Sequence, residues 1–213
     1  MTTADLIDTL SSRVAPVRPG QTARLMAGAI LAGGAVALAA VVAAFGVQPG
    51  LGTFEHGAPF AMKAAYASLL AAAAFGLAVA LVRPGADVPV AWPRVGLPVA
   101  ALAGLALLQL GRAPSGDWPA LLLGSSWDAC PWRIVLLSIP VFAGLCVAVR
   151  RQAPTDLRRA GAAVGLMSGA SAAVLYALAC TESSAAFVLV WYTAGIALTT
   201  LAGWLAGPRL LRW

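Results

Sequence analysis

Six apolar runs, each close to the length a helix needs to cross a lipid bilayer, divide this chain of 213 residues. A hydrocarbon core of about 30 Å takes about 20 apolar residues in a helix. The runs cover 25–47, 60–82, 95–111, 132–149, 159–179 and 185–206. The third and fourth are the shortest. Pro98 stands near the first turn of the third, where proline is tolerated, and Pro140 stands mid-run in the fourth, where a kink is expected. Hydrophobic residues make up 61% of the chain and charged residues 10%. Soluble domains carry about 25% charged residues, and a water-soluble fold with this composition would expose large apolar patches. The expected fold class is all-α, a polytopic membrane bundle of six transmembrane helices.

The arginines orient the bundle. With the N-terminus inside, the inner segments hold Arg13, Arg18, Arg24, Arg83, Arg94, Arg150, Arg151, Arg158, Arg159, Arg209 and Arg212, and the outer segments hold only Lys63, Arg112 and Arg133. The positive-inside rule then puts both termini in the cytoplasm. Because the arginines flank apolar runs, the net charge of +6 is a signal of membrane orientation, and no direct contact with nucleic acid is expected. Trp92, Trp118, Trp127, Trp132, Trp191, Trp204 and Trp213 mostly fall near run ends, as interfacial belts do. The first run does not read as a cleaved signal: 24 residues including Asp5 and Asp8 precede it, and it exceeds the roughly 7–15 apolar residues of a signal peptide.

The chain thus divides into a cytoplasmic segment 1–24, a six-helix domain 25–206 and a cytoplasmic tail 207–213. Within the first segment, Thr2 and Asp5 fit a capping pattern. Leu6, Ile7, Leu10 and Val14 recur at helical spacing, with Pro16 and Pro19 ending the pattern. An amphipathic helix over 3–15 is predicted. So short a helix is marginal alone, and its apolar face needs a cover. Surface-seeking helices favour a basic polar face, whereas this one carries two acids and one arginine, so a protein partner is the better match. Asp5, Leu6, Ile7, Leu10 and Val14 are the candidate partner-binding residues.

Cys130 precedes the fourth run and Cys180 ends the fifth, so both are expected at the outer edge, where thiols meet an oxidising compartment if the cell has a periplasm. Asp128 and Glu182 each lie two residues from a cysteine. Disulfide formation and soft-metal binding at Cys130 and Cys180 are both open uses of such a pair. Cys146, within the fourth run, reads as packing. Between the third and fourth runs, the outer segment 112–131 holds a short apolar stretch, Trp118 to Leu123, expected to lie on the outer surface or dip shallowly.

Other polar features are sparse. Lys63 is expected to snorkel to the outer interface. Gln109, Ser138, Ser168, Ser171, Thr199 and Thr200 are expected to bond neighbouring helices. Gly161, Gly165 and Gly169 form a small-residue stripe, better suited to packing inside the bundle than to a dimer face. Glu55 and His56 read as solvated loop residues. No phosphate loop, HExxH or CxxC occurs, so neither an enzyme nor a cofactor is expected. Two rival readings remain: a small-solute transporter, which needs a polar path, and a structural accessory subunit of a membrane complex.

Several stretches carry a family resemblance. They are Asp5-Leu6-Ile7 with Leu10, Cys130 before the fourth run, Cys180 with Glu182, then Phe187, Trp191, Tyr192 and Gly195, and the close Gly207-Pro208-Arg209 and Arg212-Trp213. In these the chain resembles the NrsF family of membrane-bound negative regulators of extracytoplasmic-function sigma factors in proteobacteria. Cys146 is a thiol that the resemblance does not account for. The resemblance implies an anti-sigma factor of the inner membrane whose cytoplasmic segment binds the sigma factor and whose Cys130/Cys180 pair senses oxidants or heavy metals.

Overall fold

The structure, a computed structural model, describes residues 2–12, 20–49, 54–82 and 92–212. The helices are α1 (Thr3–Ser12), α2 (Gln21–Ala44), α3 (Phe54–Leu81), α4 (Trp92–Arg112), α5 (Trp118–Leu123), α6 (Cys130–Arg150), α7 (Leu157–Tyr176) and α8 (Ala185–Leu210). No strand occurs among the described residues. Within α8, residues Val188–Tyr192 form a π-helical turn. The predicted helix over 3–15 is observed as Thr3–Ser12, and Val14 lies outside the described residues.

Five helices are long and apolar enough to cross a membrane: α2, α3 from Gly57, α4, α6 and α8. The two shortest apolar runs extend to 21 residues each, as α4 and α6. Pro93 and Pro131 fall in the first turns of these helices, where the missing amide proton costs nothing, and α6 continues to Arg150. α6 runs unbroken through Pro140.

α7 has 20 residues but is built largely of Ala, Gly and Ser. Its position accounts for this composition. It packs against α3, α6 and α8 and also touches α2, and every residue from Ala160 to Ala170 is buried. A helix enclosed by other helices has little need of bulky lipid-soluble side chains and gains from small ones that admit close neighbours.

The glycine stripe faces α8. A Cβ on Gly161 would collide with the Gly203 carbonyl oxygen, one on Gly165 with the Thr199 carbonyl oxygen, and one on Gly169 with the Thr199 hydroxyl. Backbone therefore meets backbone along this seam, and the stripe is occupied inside the bundle. Similarly, Gly33 brings α2 onto α6: a Cβ there would stand 2.6 Å from Val141 Cα and 2.7 Å from the Pro140 carbonyl oxygen.

The hydroxyls in the helices differ from expectation. Ser138, Ser168 and Ser171 donate to the carbonyls of Val135, Gly165 and Met167, and Thr199 and Thr200 both donate to Ile196. Each bond stays within its own helix, because the carbonyl three or four residues back is the nearest acceptor. Of the six residues named for this role, Gln109 alone reaches across to another element.

Successive long helices alternate in direction, so the bundle has two distinct ends. At one, the Gln48 amide donates to the Leu178 carbonyl at 2.8 Å, joining the segments after α2 and α7. This end also holds both terminal-edge cysteines. At the other, the Thr22 hydroxyl donates to Gln152 Oε1 at 2.9 Å. There Asp156 caps α7 through the Arg159 amide at 2.9 Å, and the Arg158 guanidinium sits 4.7 Å from the Trp204 ring centre.

Candidate functional site at the cysteine end of the bundle

Cys130 opens α6, with Pro131 behind it in the first turn, where the missing amide proton costs nothing. Its own amide donates to the Ser126 carbonyl at 2.9 Å. Cys180 lies in the connection between α7 and α8, where its amide closes the end of α7 on the Tyr176 carbonyl at 3.0 Å. Both thiols are free and buried. Both lie within electrostatic range of Lys63, and Cys130 also within range of Cys180 and Glu182.

The connection carrying Cys180 is held by hydrogen bonds from three directions. From α3, Lys63 Nζ donates to the Cys180 carbonyl and, at 2.9 Å, to the Glu182 carbonyl. From α4, Gln109 Oε1 accepts from the Ser184 hydroxyl at 3.2 Å and the Ala185 amide at 2.8 Å. Gln109 thereby satisfies the orphan donors that open α8. From the loop after α5, the Ser125 amide, Ser125 hydroxyl and Ser126 hydroxyl all donate to Glu182 Oε1, at 2.8, 2.7 and 3.0 Å. From within α8, the buried Tyr192 hydroxyl lies beside Cys180.

An aromatic group backs the thiols. Arg133 Nη1 donates to the Tyr176 hydroxyl at 3.1 Å, and its guanidinium lies 4.9 Å from the Phe45 ring centre. Tyr176 meets Phe45 edge-on and Tyr192 at a tilt. Trp191 anchors the short surface helix α5 by donating to the Leu122 carbonyl at 2.8 Å.

The sequence of this chain matches the family described as "Negative regulator of sigma F" over residues 10–213. It is 36% identical to the probable anti-sigma-F factor NrsF of Azospira oryzae over 213 residues, and 37% identical to the anti-sigma-F factor NrsF of Caulobacter vibrioides over 218 residues. Both alignments cover the whole of each chain. The chain belongs to the NrsF family. No solved structure matches it. NrsF proteins are described by a regulatory role and not by a catalysed reaction.

In this NrsF chain the two sequence-predicted thiols come together at one end of the bundle, with Glu182 in the same cluster. Asp128 makes no described hydrogen bond there. Among the described residues no group of three His, Cys, Asp or Glu side chains is arranged to hold a metal ion. Cys146 sits apart, partly buried along α6. Lys63 departs from expectation. It is 1% exposed and is enclosed instead of reaching solvent, because two carbonyls of the α7–α8 connection converge on its Nζ. Glu55 and His56 fall in the opening turn of α3 instead of a loop, and their side chains lie outside the described residues.

At the N-terminus, Thr2 and Asp5 cap α1 reciprocally. The Thr2 amide donates to Asp5 Oδ2 at 2.8 Å, and the Asp5 amide donates to the Thr2 hydroxyl at 3.2 Å. The Thr2 bonds, led by the backbone amide, hold the Asp5 carboxyl below its ordinary value of 3.8. Leu6 and Ile7 are 43% and 60% exposed. The side chain of Leu10 lies outside the described residues, as does Val14.

Sequence reasoning missed Lys63, Gln109 and the Arg133–Tyr176–Tyr192 group. One signal for Lys63 was available: it is the only lysine in the chain, and it stands inside an apolar run.

Proposed function

We propose that this chain is an anti-sigma factor that holds an extracytoplasmic-function sigma factor at the bacterial inner membrane and releases it on oxidant or heavy-metal stress. All six long helices, α7 included, cross the bilayer, and both termini are cytoplasmic. The charge asymmetry supports this topology, and the full-length likeness to two anti-sigma-F factors supports the role. The single observation that carries the reading is the pair of exposed apolar side chains, Leu6 and Ile7, on a capped helix ahead of α2. A face of that kind needs a cover, as amphipathic helices find in grooves.

Sensing belongs to the other end. Cys130 and Cys180 are the signal-sensing pair, as thiols forming a disulfide or binding a soft metal. Cys180 lies directly between α7 and α8, whose backbones touch along the glycine seam. Chemistry at Cys180 is therefore passed along a tight interface toward the Arg158–Trp204 end. Moving a two-state switch from 1:99 to 99:1 takes about 5.5 kcal/mol, whereas a disulfide supplies typically about 2–4 kcal/mol. Thiol chemistry alone gives a partial response, completed by metal binding or by competition for the sigma factor.

The rival solute carrier needs a polar path. The groove between α2, α3 and α7, about 490 Å³, is lined by apolar groups and small residues apart from Ser68 and Ser171, and the Ser171 hydroxyl is already bonded to Met167. The accessory-subunit reading loses its glycine face to the α7–α8 seam. Co-purification from membranes tests the proposal. A sigma factor is expected with the native chain and is expected to be lost with Leu6→Asp plus Ile7→Asp. Retention by that double variant overturns the assignment of α1 as the binding segment.

A further inference from the structure

Lys63 is the one lysine of this protein, and the other thirteen residues of the Lys and Arg set are arginine. Arginine's planar fork suits paired carboxylate oxygens, while the compact Nζ of lysine, with three donors, suits carbonyls converging on a point. Lys63 meets such a point. It is almost fully enclosed, a rare condition for a lysine without partners. Its Nζ donates to two carbonyls of one short turn, those of Cys180 and Glu182. The Glu182 side chain is engaged elsewhere, on Ser125 and Ser126. The backbone of the turn is thus gripped from α3, while its carboxylate grips the loop leading to Cys130.

We infer that Lys63 is the positioning residue of the thiol pair: it clamps the Cys180–Glu182 backbone so that the Cys180 thiol stays buried beside Cys130, and it lets go when those thiols react. A disulfide sets narrow limits on the separation and direction of the two cysteines. Adjusting Cys180 to them moves its carbonyl, and a hydrogen bond to that carbonyl fails beyond about 3.5 Å. An Nζ left without acceptors in a buried site must turn toward water. The clamp itself stands on the geometry, and its release rests on the sensing role proposed for Cys130 and Cys180.

The test uses the full chain in membrane vesicles. With Cys180 as the sole cysteine (Cys130→Ser, Cys146→Ser), labelling by a polyethylene-glycol maleimide is followed over time. Lys63→Met fills the same space without donors, and Lys63→Arg keeps donors and charge. The clamp predicts that Lys63→Met speeds labelling by about tenfold or more, with Lys63→Arg, which keeps donors in a poorer geometry, falling between that variant and the native chain. Labelling of Lys63→Met at the native rate overturns the inference, since only space-filling is then needed.

If Lys63→Met fails to accumulate in membranes, the unsubstituted chain decides. Lys63 carries the one lysine amine, so its acylation by a succinimidyl ester can be read by mass spectrometry. Diamide oxidises the pair: two S–H bonds break, one S–S bond forms, and two electrons and two protons pass to diamide, giving its hydrazine. Slow acylation before diamide and a rise of about fivefold or more after it support the clamp. Equal acylation before and after overturns it. Co-purified sigma factor is scored in the same samples. Acylation that rises while the sigma factor stays bound counts against the sensing role alone, and sigma-factor release without any rise counts against the clamp alone.

Discussion

Glu182 binds Ser125 twice: one carboxylate oxygen accepts both the backbone amide, at 2.8 Å, and the hydroxyl, at 2.7 Å. The loop that feeds Cys130 into α6 is fastened in this way to the connection that carries Cys180. The fastening is tight enough to need Gly124, whose φ of 55° favours glycine and where a Cβ would stand 2.5 Å from Glu182 Oε2. Hydrogen bonds to a charged acceptor contribute about 1.5–3 kcal/mol each when protected, and this site is partly open to solvent. Glu182→Ala should therefore lower stability by about 2 kcal/mol in total, with Glu182→Gln losing less. Thermal unfolding in detergent measures the loss, and faster proteolysis within 112–129 would locate it.

The seam between α7 and α8 makes a sharper contrast. Gly165→Leu has no room, because the Thr199 backbone already occupies the place of its Cβ. Overpacking of this kind costs about 3 kcal/mol or more, since backbone cannot yield as a side chain can. Gly104 has no neighbouring atom near the site of a Cβ, so Gly104→Leu should change stability by less than about 0.5 kcal/mol. Comparable melting temperatures for the two variants would contradict the packing described for α7.

For the thiols, a sigma-dependent reporter is the direct measurement. Cys130→Ser and Cys180→Ser should each abolish most of the induction by oxidant or heavy metal, while Cys146→Ser should leave it unchanged because Cys146 lies apart from the cluster. Induction that survives both of the first two substitutions removes the sensing role from this pair.

The cap on α1 has a pH signature. Asp5 is held below its ordinary value of 3.8 by the Thr2 amide and hydroxyl. A depressed carboxyl contributes stability that is present above the unfolded value and lost as pH falls through the folded one. The ends of α1 should thus keep their helical signals from neutral pH down to about pH 5 and lose them below about pH 4. Asp5→Asn should flatten that transition. Nuclear magnetic resonance of the Asp5 carboxyl in the micelle-bound chain gives its midpoint directly, and a midpoint at or above 3.8 would contradict the reciprocal cap.

Much of the architecture follows from local pattern. Apolar run length marked where each long helix lies, with ends off by up to six residues, as at the start of α3, because a long apolar run favours the structure that satisfies its own backbone. Thr2, Asp5 and the spacing of Leu6 and Ile7 announced α1, since capping and amphipathicity are properties of near neighbours in the chain. The glycines of α7 signalled close packing without naming the partner. Tertiary structure alone chose α8 over a second copy of the chain. Cys130 and Cys180 were legible as a pair at one edge, yet their environment was not. Lys63, Gln109 and Glu182 lie 117, 71 and 2 residues from Cys180 in sequence, and only helix packing brings all three onto one short connection. Hydropathy read Lys63 as a charge that should escape to water. Two backbone carbonyls, which no sequence pattern displays, hold it enclosed, because a buried donor settles where acceptors converge.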